Sequence, residues 1–230
     1  MELKKMTLYK VLNKDGESCH GGSLKWYRPK GNKKAKWMPK ITTPLIECQN
    51  GYHLCRESDL LSWLHDSIYE VEYVSNDVII CDNKVVASSV RLVKQLNWNR
   101  ETAIDFACDC AERTLYLFEN KYPDDKRPLQ AILAARNRDN AATATAAAAA
   151  YAATAAYAAT TTAYAATAAD YAYTATAAYA AAAAAAAAYT TDYAAAAADT
   201  AAAAADAATA AATEKEWQIN RLMDYLYERI

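Results

Sequence analysis

Residues 99–128 read NRETAIDFACDCAERTLYLFENKYPDDKRP, and within them the chain turns from strand-like to helical patterning. Asn99 is a residue type that caps a helix, because its side chain accepts from the free N–H groups of the first turn. From Arg100 to about Tyr122, the residues Ile104, Ala107, Ala111, Leu115 and Phe118 recur at helical spacing and define one apolar face. Tyr122-Pro123-Asp124-Asp125-Lys126-Arg127-Pro128 reads as a proline loop. Pro128 suits the first turn of a second helix, where its missing N–H costs nothing. That helix runs through Leu129, Ile132 and Leu133. Asp109, Glu112 and Arg113 are expected to form a structural salt-bridge network with Arg127 or Arg136.

Toward the C-terminus, residues 141–213 are almost entirely Ala, Thr, Tyr and Asp, with no Lys or Arg. Such bias usually means disorder. Alanine has the strongest helix propensity, however, and neither Gly nor Pro occurs after Pro128, so the segment is expected to be helical. One straight helix over these residues would run roughly 110 Å. Folding back is expected at Thr160-Thr161-Thr162, around Asp170–Thr174 and around Tyr189–Tyr193, giving an antiparallel array. Burying a methyl group contributes only about 0.8 kcal/mol. Tyr157, Tyr164 and Tyr171, in heptad spacing, are therefore expected to form a seam locking neighbouring helices, with Asp192, Asp199 and Asp206 facing water.

Two further readings of this segment differ in kind. Flat alanine faces left exposed would associate, making the chain a self-assembling homo-oligomer. An ice-binding face would need a sustained eleven-residue Thr repeat, which is met only in fragments. Residues 214–230 form an amphipathic closing helix, with Trp217, Leu222, Leu226 and Ile230 approximating an apolar stripe. It is expected to cover the last alanine face or to contact a second copy.

Toward the N-terminus the pattern is strand-like. Residues 7–12 alternate and end at the turn signal Asn13-Lys14-Asp15-Gly16. Residues 68–74 (IYEVEYV) alternate apolar and acidic side chains, as a half-buried strand does. Val78–Cys81 and Val85–Val93 read as a hairpin, and Ser58 as the cap of a helix carrying Leu60, Leu61 and Trp63. These elements predict a small α+β domain over residues 1–97. The remainder, 98–230, is expected to be an all-α, Ala-rich antiparallel helical domain with its proline loop at 122–128.

Net charge is -2, but residues 1–50 hold eleven Lys or Arg against four acids, so any nucleic-acid affinity belongs to the N-terminal part. Lys25, Trp26, Arg28, Lys33, Lys34, Lys36 and Trp37 interleave cations with rings, as single-strand binding requires. A solvated hairpin with Pro29 and Gly31 at its tip and the tryptophans turned inward is the favoured alternative. Cys48, His53 and Cys55 carry zinc-ligating groups, though their spacing is not that of a zinc knuckle, and a strand placing Cys55 inward accounts for them equally. Gly21-Gly22 after His20 could offer amides to an anion, or mark a bend. Glu70 and Glu72, with His20, His53 and Tyr69, are the nearest approach to a catalytic set, and alternating Glu on a strand is usually a wet face. The chain reads as a binding protein rather than an enzyme, with no cofactor.

The opening MELKKMTLYK has no apolar leader core, no stretch is apolar enough to span a membrane, and six cysteines without dense spacing suit a reducing compartment. A bacterial host cytosol is the expected location.

The run Phe106-Ala107-Cys108-Asp109-Cys110-Ala111-Glu112-Arg113, the loop Tyr122–Pro128 and Ala131-Ile132 together resemble bacterial Ala-rich helical proteins described as immunity proteins. The ending Glu216-Trp217-Gln218-Ile219-Asn220-Arg221-Leu222-Met223 is similar to the closing helix of related phage and bacterial proteins. Tyr9-Lys10-Val11, His20-Gly21-Gly22, residues 48–55 (CQNGYHLC) and Lys84-Val85-Val86 resemble an uncharacterised domain of the same proteins. The resemblance implies a non-enzymatic accessory protein of immunity or anti-defence type that binds and inhibits a protein partner. The other two expectations are a structural self-assembling protein, and a nucleotide- or nucleic-acid-binding domain using the basic N-terminal half.

Overall fold

Ser67–Tyr73 (SIYEVEY) is the strand around which the N-terminal sheet is built, and its acidic residues are matched across the sheet. This strand, β3, lies between β1 (Leu8–Leu12) and β6 (Val90–Gln95), antiparallel to both. Its register with β6 sets Glu70 opposite Lys94 and Glu72 opposite Arg91, with a β-bulge between Glu70 and Val71. Opposite charges directly across a ladder stabilise it by about 0.2–1 kcal/mol per pair. Tyr69, Val71 and Tyr73 are buried while Glu70 and Glu72 stay half-buried, as the alternating sequence demands.

The computed structural model describes residues 6–19, 24–120, 122–138 and 211–230. The chain divides into two compact units, Met1–Trp98 with Leu226–Glu228, and Asn99–Tyr225 with Arg229–Ile230.

The first unit carries a second three-stranded antiparallel sheet, in the order β2 (Tyr52–Leu54), β5 (Val85–Ala87), β4 (Val78–Ile80). Residues 85–93, expected as one strand, are two. Ser88 and Ser89 interrupt the run, so that β5 pairs in one sheet and β6 in the other. The Ser88 hydroxyl bonds the Asp77 carboxylate and Val74 N donates to Ser89 O at 3.2 Å, so polar groups at the crossing are satisfied locally. A shared core of Leu8, Leu12, Trp26, Tyr52, Leu54, Val71 and Leu92, among others, fills the first unit.

The expected fold class, an α+β domain followed by an all-α, Ala-rich antiparallel helical domain, is corrected on both counts. The helix expected from Ser58 is a 3-10 helix, Glu57–Trp63. Its first turn is fixed by Asp59, whose carboxylate accepts from Arg56 N at 3.0 Å and from Arg56 Nε at 2.7 Å. At seven residues it is longer than the roughly three to four over which this tighter helix usually runs. The described part of the first unit therefore holds two β-sheets and no α-helix.

In the second unit the described residues form three α-helices: α1 (Arg100–Glu119), α2 (Arg127–Arg136) and α3 (Ala211–Leu226). Three helices around an undescribed stretch do not make an all-α domain. The tyrosine seam of Tyr157, Tyr164 and Tyr171, the aspartate row and the array turns lie outside the described residues, as do His20, Gly21 and Gly22. Asn99 caps α1 by accepting from Thr102 N at 3.0 Å. Ile104, Ala107, Ala111, Leu115 and Phe118 are all buried, together with Ala103, Phe106, Cys108 and Cys110. On α3 the buried residues are Gln218, Leu222, Met223, Tyr225 and Leu226, whereas Trp217 is half-buried. Five residues turn an α-helix by about 500°, which leaves Trp217 and Leu222 well apart around the axis.

Gly51 enters β2 with φ 141°, and a Cβ placed there would lie 2.1 Å from Val86 Cγ1 on the paired strand β5. Gly51→Ala is expected to lower the denaturant midpoint by the equivalent of about 2–3 kcal/mol, combining backbone strain with overpacking. Urea unfolding followed by tryptophan fluorescence measures it.

Candidate functional site

Residues 46–50 close a tight turn, with Ile46 N to Asn50 O at 2.8 Å and Cys48 in the left-handed region at φ 60°. That conformation sends Cys48 N to His53 Nε2 at 2.9 Å, so the imidazole nitrogen is occupied as an acceptor. Burial, with Lys10 and Lys84 nearby, holds His53 below the ordinary histidine value. Cys55 is buried at the end of β2, and burial pushes its thiol up to about 12. Cys48 is exposed and receives Lys84 Nζ at 3.5 Å. Among the described residues, no group of three or more His, Cys, Asp or Glu is placed to hold a metal ion.

These residues border a cavity of about 660 Å³ that also receives Lys10, Lys25, Trp26, Tyr52, Trp63 and Lys84. Lys10 belongs to β1, all five of whose residues are buried, and it is 8% exposed. Its ammonium donates to His53 O at 3.1 Å and lies 5.0 Å from the centre of the Trp26 ring. Trp26 Nε1 donates to Ser18 Oγ at 2.9 Å, and Tyr52 meets the ring edge-on at 5.4 Å. Lys84 sits 5.3 Å over Trp63 and pairs with Glu47 at 3.2 Å.

The basic segment is divided by the same logic of backbone pairing. Ala35 N, Met38 N and Ile41 N donate to Leu92 O, Val90 O and Ser88 O at 2.9, 2.9 and 3.0 Å, which lays residues 35–41 along β6. Ala35 and Met38 point inward, and Lys33, Lys36, Arg28 and Trp37 remain exposed. Lys30 and Lys33 close the turn around Gly31, whose φ is 54°. Trp26 is buried, so it does not share a surface with Trp37, which is 40% exposed beneath the Arg91 guanidinium at 4.8 Å. Lys34 Nζ reaches Glu72 at 2.6 Å, and Arg91 binds the same carboxylate through two nitrogens. The Lys34 hydrogen bond, aided by Arg91, holds Glu72 below the usual carboxylate range. Glu70 accepts from Tyr227 Oη at 2.6 Å. Both strand glutamates are thus engaged in structural contacts.

In the second unit Asp109 is the centre of a polar cluster. Its Oδ1 accepts from Arg136 Nη2 at 2.6 Å, and its Oδ2 accepts from Arg221 Nε at 2.6 Å and Tyr225 Oη at 2.8 Å. Arg136 also binds Glu112 at 2.8 Å. Hydrogen bonds donated to Glu112 and Asp109 raise the Arg136 guanidinium further above its usual range, against the opposing effect of burial. Arg127 does not join them. It binds Asp125 two residues earlier, at 2.6 Å. Arg113 lies 4.3 Å over the Trp217 ring. Asp109, Glu112, Arg113, Trp217, Asn220, Arg221 and Asp224 line an open groove of about 510 Å³. No helix among the described residues is long and apolar enough to cross a membrane.

Sequence reasoning singled out Asp109, Glu112 and Arg113 but not Arg221 or Tyr225, which lie more than a hundred residues away along the chain. It also passed over Lys10 and Lys84 as site residues. A lysine within the otherwise apolar run Leu8–Leu12 was the signal available.

Residues 96–225 match the family model described as Imm-5 like putative immunity protein. Neither the curated proteins nor the solved structures return a match.

Burial separates the thiols by reactivity, since the thiolate is the nucleophile. Iodoacetamide at pH 8 is expected to label Cys48, while Cys55 and Cys108, each pushed up to about 12, stay unmodified until the chain is unfolded. Peptide mass spectrometry of samples quenched over time reads the difference.

Proposed function

Because the chain belongs to the family described as Imm-5 like putative immunity protein, we propose that it is an immunity-type protein that binds and inhibits a protein partner. The observation carrying this reading is the family match over residues 96–225, which contains every residue lining the groove on α1 and α3. The groove offers the chemistry that protein partners use. Trp and Arg are the residue types that most often dominate binding energy at interfaces. Trp217 is half-buried and braced by Arg113, so its ring is held in place before a partner arrives. Less side-chain freedom is then lost on binding. Glu112, Asp224, Arg113 and Arg221 around it present both signs of charge, which favours a particular partner over others through complementarity. In this reading residues 98–230 carry the inhibitory surface, residues 1–97 form a separate module, and the protein acts in a bacterial cytosol as a host or phage accessory factor.

Size exclusion with light scattering, before and after mixing with host lysate, tests the reading. One host protein is expected to shift with the chain into a discrete complex. Rebuilt from the two pure proteins, that complex should lose the partner's activity at stoichiometric ratio. Trp217→Ala is expected to weaken it by about thirtyfold, as loss of an interface anchor does. A large, concentration-dependent assembly that takes up no partner would overturn the proposal.

A further inference from the structure

We propose that the cavity of the N-terminal unit is a binding site for a small phosphorylated ligand of the nucleotide class, with Lys10, Lys25 and Lys84 receiving the phosphate charge. The proposal concerns a different unit from the inhibitory groove and does not rest on that function.

The first observation is the charge of the lining. Among the described residues, three lysines border the cavity and no Asp or Glu does. Lys10 is the most telling of them. A buried ammonium is normally matched by a carboxylate, because removal from water costs several kcal/mol that only a counter-charge offsets. Among the described residues Lys10 has one carbonyl, His53 O, and one ring, Trp26, and makes no ion pair. A methionine would fill the same place in β1 without that cost. Burial holds Lys10 below the ordinary lysine value, and an anion from outside the chain would supply the counter-charge it lacks.

The second observation is preorganisation. Lys10 is held against Trp26, and Lys84 against Trp63 and Glu47. Two of the three ammonium groups are therefore fixed before a ligand enters, and an anion that meets them does not have to order two flexible chains.

The third observation is size. A volume of about 660 Å³ falls within the range of sites for drug-sized ligands and far exceeds what a bare phosphate fills. Leu24, Leu54 and the Trp63 ring supply apolar wall for a planar group, and Ser18 and Gln49 supply polar groups that orient one. A lining that offers both cations and apolar wall is one that a nucleotide satisfies and an inorganic ion does not.

Calorimetric titration of the full chain with AMP, ADP and inorganic phosphate, at low and at high salt, tests the proposal. ADP is expected to bind one to one, more tightly than phosphate and more weakly as salt rises. Lys10→Met is expected to lower ADP affinity at least about tenfold, the loss of a charged hydrogen-bond donor. Lys25→Gln, at an exposed side chain of the lining, carries the same measurement if Lys10→Met does not fold. Failure of AMP and ADP to bind saturably would overturn the proposal, as would phosphate binding as tightly as ADP, or both lysine variants binding like the wild type.

Discussion

The second unit depends on one carboxylate. Asp109 stands on α1, and its two oxygens reach α2 through Arg136 and α3 through Arg221 and Tyr225. Its side chain is only 10% exposed, while the side chains of Arg221 and Arg136 are 28% and 30% exposed. That gradient suits the geometry. The acid gives up water because it accepts three charge-assisted or phenolic hydrogen bonds in return, and the cations keep part of their hydration. Removal of Asp109 would leave two cations facing each other over an apolar seam in which Phe106 packs edge-on to Tyr225 at 6.3 Å. The same carboxylate sets the floor of the groove, so the residues offered to a partner are positioned by the contacts that hold the helices.

The first unit solves a different problem. Its sheets bury β1 completely, and each half-buried acid of β3 has a cation on the strand beside it. The cavity lies where β1, β2 and the turn at 46–50 come together, away from those cross-strand pairs. Charge is balanced on β3, whereas within the cavity Lys84 has Glu47 and Lys10 has no ion pair among the described residues. A fold that matches its acids so closely in one place and buries Lys10 without an acid in another has separated a structural task from a binding one.

What could be read from the sequence follows the range of the interactions. Helix α1 was legible because its cap at Asn99 and its apolar face are local patterns, as was β3 with its alternation. The switch of sheet at Ser88 and Ser89 was not, because nothing within ten residues distinguishes a long strand from two short ones that pair with different partners. The 3-10 form of Glu57–Trp63 was hidden for a similar reason, since propensity predicts helix and the span between β2 and β3 decides its type. Half of the Asp109 cluster was visible as charges at helical spacing. Arg221 and Tyr225 reach it across 112 and 116 residues, a distance over which spacing carries no signal. Trp26 and Trp37 looked equivalent within one basic run, but Trp26 pairs with Gly16 and is buried, whereas the pairing of residues 35–41 along β6 leaves Trp37 exposed.

Asp109 is the contact on which the helices of the second unit depend. Hydrogen exchange, compared by mass spectrometry between the wild type and Asp109→Asn, tests this directly. Protection should fall in peptides from α2 and from residues 215–225 of α3, with the peptide covering Ser67–Tyr73 unchanged. Unaltered protection in α2 and α3, or an equal loss in both units, would contradict it.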